Sequence, residues 1–156
     1  MDREQVYWDS NAFLGFLNDE PDKADACTLV LKAAENGHLM IVTSAIALAE
    51  VIYLKGQKKL DPAKRAKIDH FFRASYISVR NVTRETSDLA RNAVWDNGVR
   101  PMDAIHVATA CLHKIPAMNT FDGKLIARSG LVLAGHSLTI EKPKRIHQED
   151  WVDGNQ

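Results

Sequence analysis

Four short runs of strand-forming residues, at 5–8, 39–42, 76–82 and 115–121, are each separated by a stretch long enough for a helix, and this spacing most constrains the fold. Two antiparallel strands need only a tight turn between them, whereas connections carrying a helix imply crossovers between parallel strands. A weaker run at 138–140 supplies a fifth strand. The class expected is therefore α/β: a three-layer sandwich with a mainly parallel central sheet of four to five strands, flanked by helices.

The helical segments carry their own signals. Asp9-Ser10-Asn11 closes the first strand with residue types that cap helices, and a short helix is expected over 11–18. Residues 23–35 place Ala26, Leu29, Val30 and Ala33 on one face, and Gly37 stops that helix. Thr43 or Ser44 is suited to cap a helix running to about residue 54, before Gly56. Asp61-Pro62 opens a helix to about residue 74, and Thr83 with Thr86 and Ser87 opens one that Gly98 ends. Pro101 then starts a helix with Ile105, Ala108 and Leu112 at three- and four-residue intervals, and a short helix is expected over 124–129.

At 156 residues and 46% apolar content, the chain has enough material for one sizeable core. The organisation expected is one domain over 1–141 and a polar tail over 142–156, apolar only at Trp151. Twenty basic and twenty acidic residues cancel, so a polyanion site must be local. The MDREQ start has no apolar stretch behind a basic flank, and a cytoplasmic location is expected. The longest apolar region, 40–54, is interrupted by Thr43, Ser44 and Glu50 and falls short of the roughly 20 residues of a spanning helix, so no membrane role is expected. Cys27 and Cys111 are widely separated and suit buried thiols better than a disulfide or a zinc site.

Ligands of an open parallel sheet gather beyond the carboxyl ends of its strands. Asp9 and Asp122 follow the first and fourth strands, Glu50 lies in the helix after the second, and Asp103 is in the first turn after Pro101. Glu50 interrupts AIALAEVIYL, with no cation nearby before Lys55. A buried carboxylate must be paired, protonated or bound to a metal; an exposed Glu50 needs none of these. Taken singly, Asp9 and Asp122 read first as helix caps, and Asp103 as an acid favoured by the helix dipole; the case for a site rests on their convergence. Brought together, four acids would repel one another unless a hard divalent cation, Mg²⁺ or Mn²⁺, sat among them. The histidines show no zinc-type spacing, and His106 and His113 suggest helix packing or surface positions.

The segments YWDSNAFLGFL, TSAIALAEV, RPMDAIHVATA and MNTFDGKL resemble, in order and spacing, the four acidic motifs of the PIN-domain nucleases, and within them the stand-alone VapC-type toxins. The resemblance runs from Val6 to about Ile140. It implies a Mg²⁺- or Mn²⁺-dependent endoribonuclease, usually a homodimer, silenced by a cognate antitoxin. It also implies products with a 5′-phosphate and a 3′-hydroxyl. Asp9, Glu50, Asp103 and, in the most variable position, Asp122 would be the catalytic and metal-binding carboxylates. Ser10, Asn11 and Thr120 match the small polar residues that support them.

RNA held at an acidic pocket also needs cations around it. Arg100, just before the third motif, is the candidate phosphate contact, and residues 55–73 hold seven lysines and arginines against two aspartates. That run suits a solvated helix face as well as an RNA surface. Three alternatives to the toxin remain: a PIN nuclease in RNA processing or decay, a catalytically silent RNA- or protein-binding module, and a phosphate-signalling receiver. The last expects adjacent acids where Ser10 follows Asp9. Neither a glycine-rich nucleotide loop nor a GxSxG elbow is present.

Overall fold

Tyr7 and Trp8 bury their side chains in different hydrophobic clusters, as successive residues of a strand must when both faces of a sheet are covered. The computed structural model describes residues 3–57 and 59–144. The strands are β1 (Glu4–Trp8), β2 (Leu39–Ser44), β3 (Ile77–Arg80), β4 (Ala117–Asn119), β5 (Leu131–Leu133) and β6 (His136–Glu141). They form one six-stranded sheet in the order β3-β2-β1-β4-β6-β5, parallel throughout except for the β5–β6 pair. From β1 the chain builds outward to β2 and β3, then returns to place β4 on the other side of β1. The sheet therefore has its switch point between β1 and β4, the place where ligands of such sheets gather.

The helices are α1 (Ser10–Leu17), α2 (Ala24–Glu35), α3 (Ile46–Glu50), α4 (Pro62–Phe72), α5 (Arg84–Asn97), α6 (Pro101–Leu112) and α7 (Gly123–Ile126). On the Trp8 face, Phe13 of α1, Cys27, Val30 and Leu31 of α2 and Phe72 of α4 pack over Ile41 and Ile77. On the Tyr7 face, Ala90 and Ala93 of α5 and Val107 and Ala108 of α6 pack over Val42, Met118 and Ile140. The three-layer α/β architecture expected from the strand and helix spacing is the one observed.

Three local expectations change. The sheet has six strands rather than four or five, because Leu131–Leu133 pairs with β6 through a hairpin. Ala134 and Gly135 turn that hairpin with φ of 52° and 71°, the left-handed pair that matches strand twist. The helix expected to reach residue 54 ends at Glu50: Thr43 and Ser44 extend β2, and Val51 leaves helical geometry to bury its side chain beside Phe72 and Ala47. The fourth strand is also shorter, so Asp122 lies three residues beyond it. Of the expected tail, residues 145–156 lie outside the described residues. Cys27 and Cys111 are buried free thiols, and no described helix is long and apolar enough to cross a membrane.

Gly15 fixes how closely α1 approaches the segment after β4. A Cβ there would lie 2.8 Å from the Phe121 ring and 3.2 Å from the Lys23 Cβ. Gly15→Val should lower stability by about 1–3 kcal/mol despite valine's better helix propensity, since overpacking outweighs the propensity gain. A urea midpoint equal to that of the wild type would show that Phe121 swings aside freely.

Candidate active site

The acids gather around the β1/β4 switch point, and their positions follow from the ends of elements. Asp9 is the first residue after β1 and caps α1: its Oδ1 accepts the Ala12 N–H at 3.0 Å. That leaves Oδ2, which accepts a 2.5 Å hydrogen bond from the Thr120 hydroxyl, beyond the end of β4. Thr120 Oγ1 accepts in turn from the Asp122 N–H at 3.1 Å, so one threonine ties together the segments carrying two acids. Asp122 caps α7 through Oδ1, and its Oδ2 lies 3.3 Å from the Arg100 guanidinium. Asp103, in the first turn of α6, faces the same guanidinium at 3.7 Å. The capping roles are thus real: each cap uses one carboxylate oxygen, and the other meets the Thr120 hydroxyl in Asp9 and the Arg100 guanidinium in Asp122.

Glu50 enters from α3 and meets a chain of buried partners. Its Oε1 accepts from the Ser10 hydroxyl at 2.8 Å and from His106 Nε2 at 2.7 Å. His106 is 2% exposed, and its Nδ1 lies 2.6 Å from the Tyr7 hydroxyl. The Glu50 carboxylate can only accept, so Nε2–H donates to it, and the Tyr7 hydroxyl meets the ring's other nitrogen, so the ring is held from both ends. Ser10 Oγ, 3.3 Å from Nε2, closes the triangle.

The protonation energetics show how the acids feel one another. Burial pushes the Asp9 carboxyl from 3.8 up to about 6, against the opposing hydrogen bonds of Thr120 and Ala12 and the charge of His106, with Asp103 adding to the rise. Burial also raises Asp103, and Asp122 and Glu50 add to that rise while Arg100 and His106 oppose it. Burial would raise Glu50 as well, but the hydrogen bonds of His106 and Ser10 prevail and hold it below the ordinary carboxylate value. Asp9 and Asp103 are thus acids left short of positive charge in a shared neighbourhood.

That neighbourhood fits a hard divalent cation: all four acids offer oxygen, and the two raised carboxyls are those a cation would relieve. Among the described residues, no three acidic, histidine or cysteine side chains are gathered tightly enough to hold an ion as they stand.

The PIN-domain family model matches residues 6–131, a span that includes every one of these acids. The chain belongs to the PIN-domain family. No curated protein matches it in sequence. Among solved structures, it is similar to the VapBC2 complex of Rickettsia felis bound to a DNA fragment from its promoter, at 19% identity and a TM-score of 0.60, covering 87% of this chain and 98% of the other. It is also similar to a toxin–antitoxin complex from Klebsiella pneumoniae, at 21% identity and a TM-score of 0.59, covering 90% and 99%. At these identities the likeness is one of fold.

Within this PIN domain, Ser10 touches Glu50 and Thr120 touches Asp9, whereas Asn11 is exposed on the first turn of α1 and takes no part in these hydrogen bonds. Arg100 faces two acids rather than standing free. His106 is the residue that sequence reasoning passed over. Its signal was the spacing Asp103-x-x-His106, which puts both side chains on one face of α6.

Proposed function

We propose that this protein is a divalent-cation-dependent ribonuclease, hydrolysing RNA phosphodiester bonds, and that it acts as the toxin of a type II toxin–antitoxin pair. The observation that carries the nuclease reading is the buried Asp9, its charge incompletely compensated and within reach of the charge of Asp103, at the switch point of a PIN-domain sheet. The toxin reading draws on the fold shared with two toxin–antitoxin complexes.

Asp9, Glu50, Asp103 and Asp122 would hold Mg²⁺ or Mn²⁺. When bound, such an ion acidifies a coordinated water and stabilises charge on phosphoryl oxygens. The protein's own contribution is orientation. Thr120 holds one oxygen of Asp9, and Ser10 and His106 hold one oxygen of Glu50, leaving the second oxygen of Glu50 uncommitted. Arg100 is exposed, and ion pairs at an exposed guanidinium are weak enough to exchange for a substrate phosphate. With water as nucleophile, the products would carry a 5′-phosphate and a 3′-hydroxyl. A homodimer working in the cytoplasm and restrained by an antitoxin completes the proposal.

Purified protein should degrade RNA with Mg²⁺ or Mn²⁺ and not in excess chelator, and Asp103→Asn should reduce the rate by about 10²-fold or more. Undiminished cleavage in chelator would overturn the nuclease mechanism. For the toxin role, induced expression of the wild type should arrest growth and co-expression of a small neighbouring reading frame should relieve it. Growth unaffected by an active nuclease would favour RNA processing or decay instead.

A further inference from the structure

Beside the acids lies a cavity of about 450 Å³, walled on one side by Gly98, Val99, Arg100 and Asp103 and on the other by Lys124, Leu125, Ala127 and Arg128. Its volume falls within the roughly 300–1,000 Å³ of small-ligand sites. Three cations face one acid there. Arg100 is already engaged with Asp103 and Asp122, whereas Lys124 and Arg128 form no ion pair among the described residues. The Arg128 guanidinium lies close against Gly98, where a Cβ would come within 3.1 Å of it. Buried Val99 and Leu125 give the cavity an apolar floor.

This protein has no net charge to draw a polyanion, and its acid cluster repels one, so capture depends on local cations. Two basic regions compete for that task. The groove holding Lys59 and Arg65 is lined by none of the four acids, and the Arg65 side chain is spent on the Leu60 carbonyl. The Lys124–Arg128 cavity shares Asp103 and Arg100 with the acid cluster itself.

We propose that this cavity seats a backbone phosphate of single-stranded RNA next to the one being cleaved, with Lys124 and Arg128 as its ligands. This rests on the ribonuclease reading above. Fluorescence anisotropy with a short labelled single-stranded RNA in chelator, where it stays uncut, measures binding apart from catalysis. Lys124→Ala/Arg128→Ala should weaken binding by about 10- to 30-fold near 0.1 M salt and flatten the salt dependence by about 1.4 logarithmic units per decade, the release expected for two contacts to a single strand. Lys59→Ala/Arg65→Ala should leave both unchanged. With Mn²⁺, the first double variant should raise KM and change kcat little. All four side chains are exposed, so both variants should melt with the wild type. Wild-type binding by the Lys124/Arg128 variant, or a larger loss in the Lys59/Arg65 variant, overturns the assignment while a metal-dependent wild-type cleavage leaves the ribonuclease standing. A wild type that neither binds nor cuts RNA overturns both.

Discussion

Asp9→Asn is expected to cut RNA cleavage on the order of 10³-fold and, in the same protein, to stabilise the metal-free fold at neutral pH. Both effects have one cause. Asp9 is 3% exposed, and burial raises its carboxyl from 3.8 to about 6. A carboxyl raised by folding stays protonated in the native state while the unfolded chain has already released its proton. Its contribution to stability is therefore intact below about pH 3.8, declines as pH rises through the window to about 6, and is lost above it. The shift corresponds to at most about 3 kcal/mol. Asparagine cannot ionise, keeps an Oδ1 for the Ala12 N–H, and offers an amide to the Thr120 oxygen. Urea unfolding in chelator should show the variant more stable by about 1–3 kcal/mol at pH 7, with the gap vanishing near pH 4. A less stable variant at pH 7 would mean that the charge of Asp9 is already compensated within the fold.

His106→Leu is expected to weaken Mn²⁺ binding by about 10- to 100-fold, the usual cost of losing a group that orients a metal ligand. The leucine fills much of the ring's volume but takes from the Tyr7 hydroxyl its 2.6 Å neighbour and from Glu50 its 2.7 Å donor. Native stability should fall by about 0.5–1.5 kcal/mol for the lost buried hydrogen bond, since Thr43, Thr109 and the Ser44 backbone still reach the hydroxyl. Tyr7→Phe leaves the buried His106 Nδ1 without the phenol, so it should cost about 1–3 kcal/mol. The double variant should be less destabilised than the two single losses added together, because no unpaired ring nitrogen remains. Calorimetric titration with Mn²⁺ and urea unfolding check both parts. Wild-type affinity in a folded His106→Leu protein would reduce the ring to core packing.

Elements that announce themselves locally are legible in the order of residues alone. β1 is followed by a capping aspartate, Thr83 by Thr86 in a capping box, and α6 opens with proline; each signal needs only a few adjacent residues to act. Asp9 and Asp122 stand out for the same reason, being acids at the ends of strands. β5 does not, because three residues flanked by Gly130 and Ala134-Gly135 carry too little pattern to declare a strand until β6 pairs with them.

The amino-acid order by itself determined the parallel α/β class, the capping acids and the placement of Asp103 and His106 on one helix face, since each depends on spacing along a few turns. Only the tertiary structure decided that α3 stops at Glu50 and that His106 joins Tyr7 to that carboxylate, across separations of 99 and 56 residues. Periodicity tells a chain which side of an element to bury. Which polar groups then meet in the buried layer depends on how distant elements pack, and an unpaired polar atom there costs enough to select one arrangement.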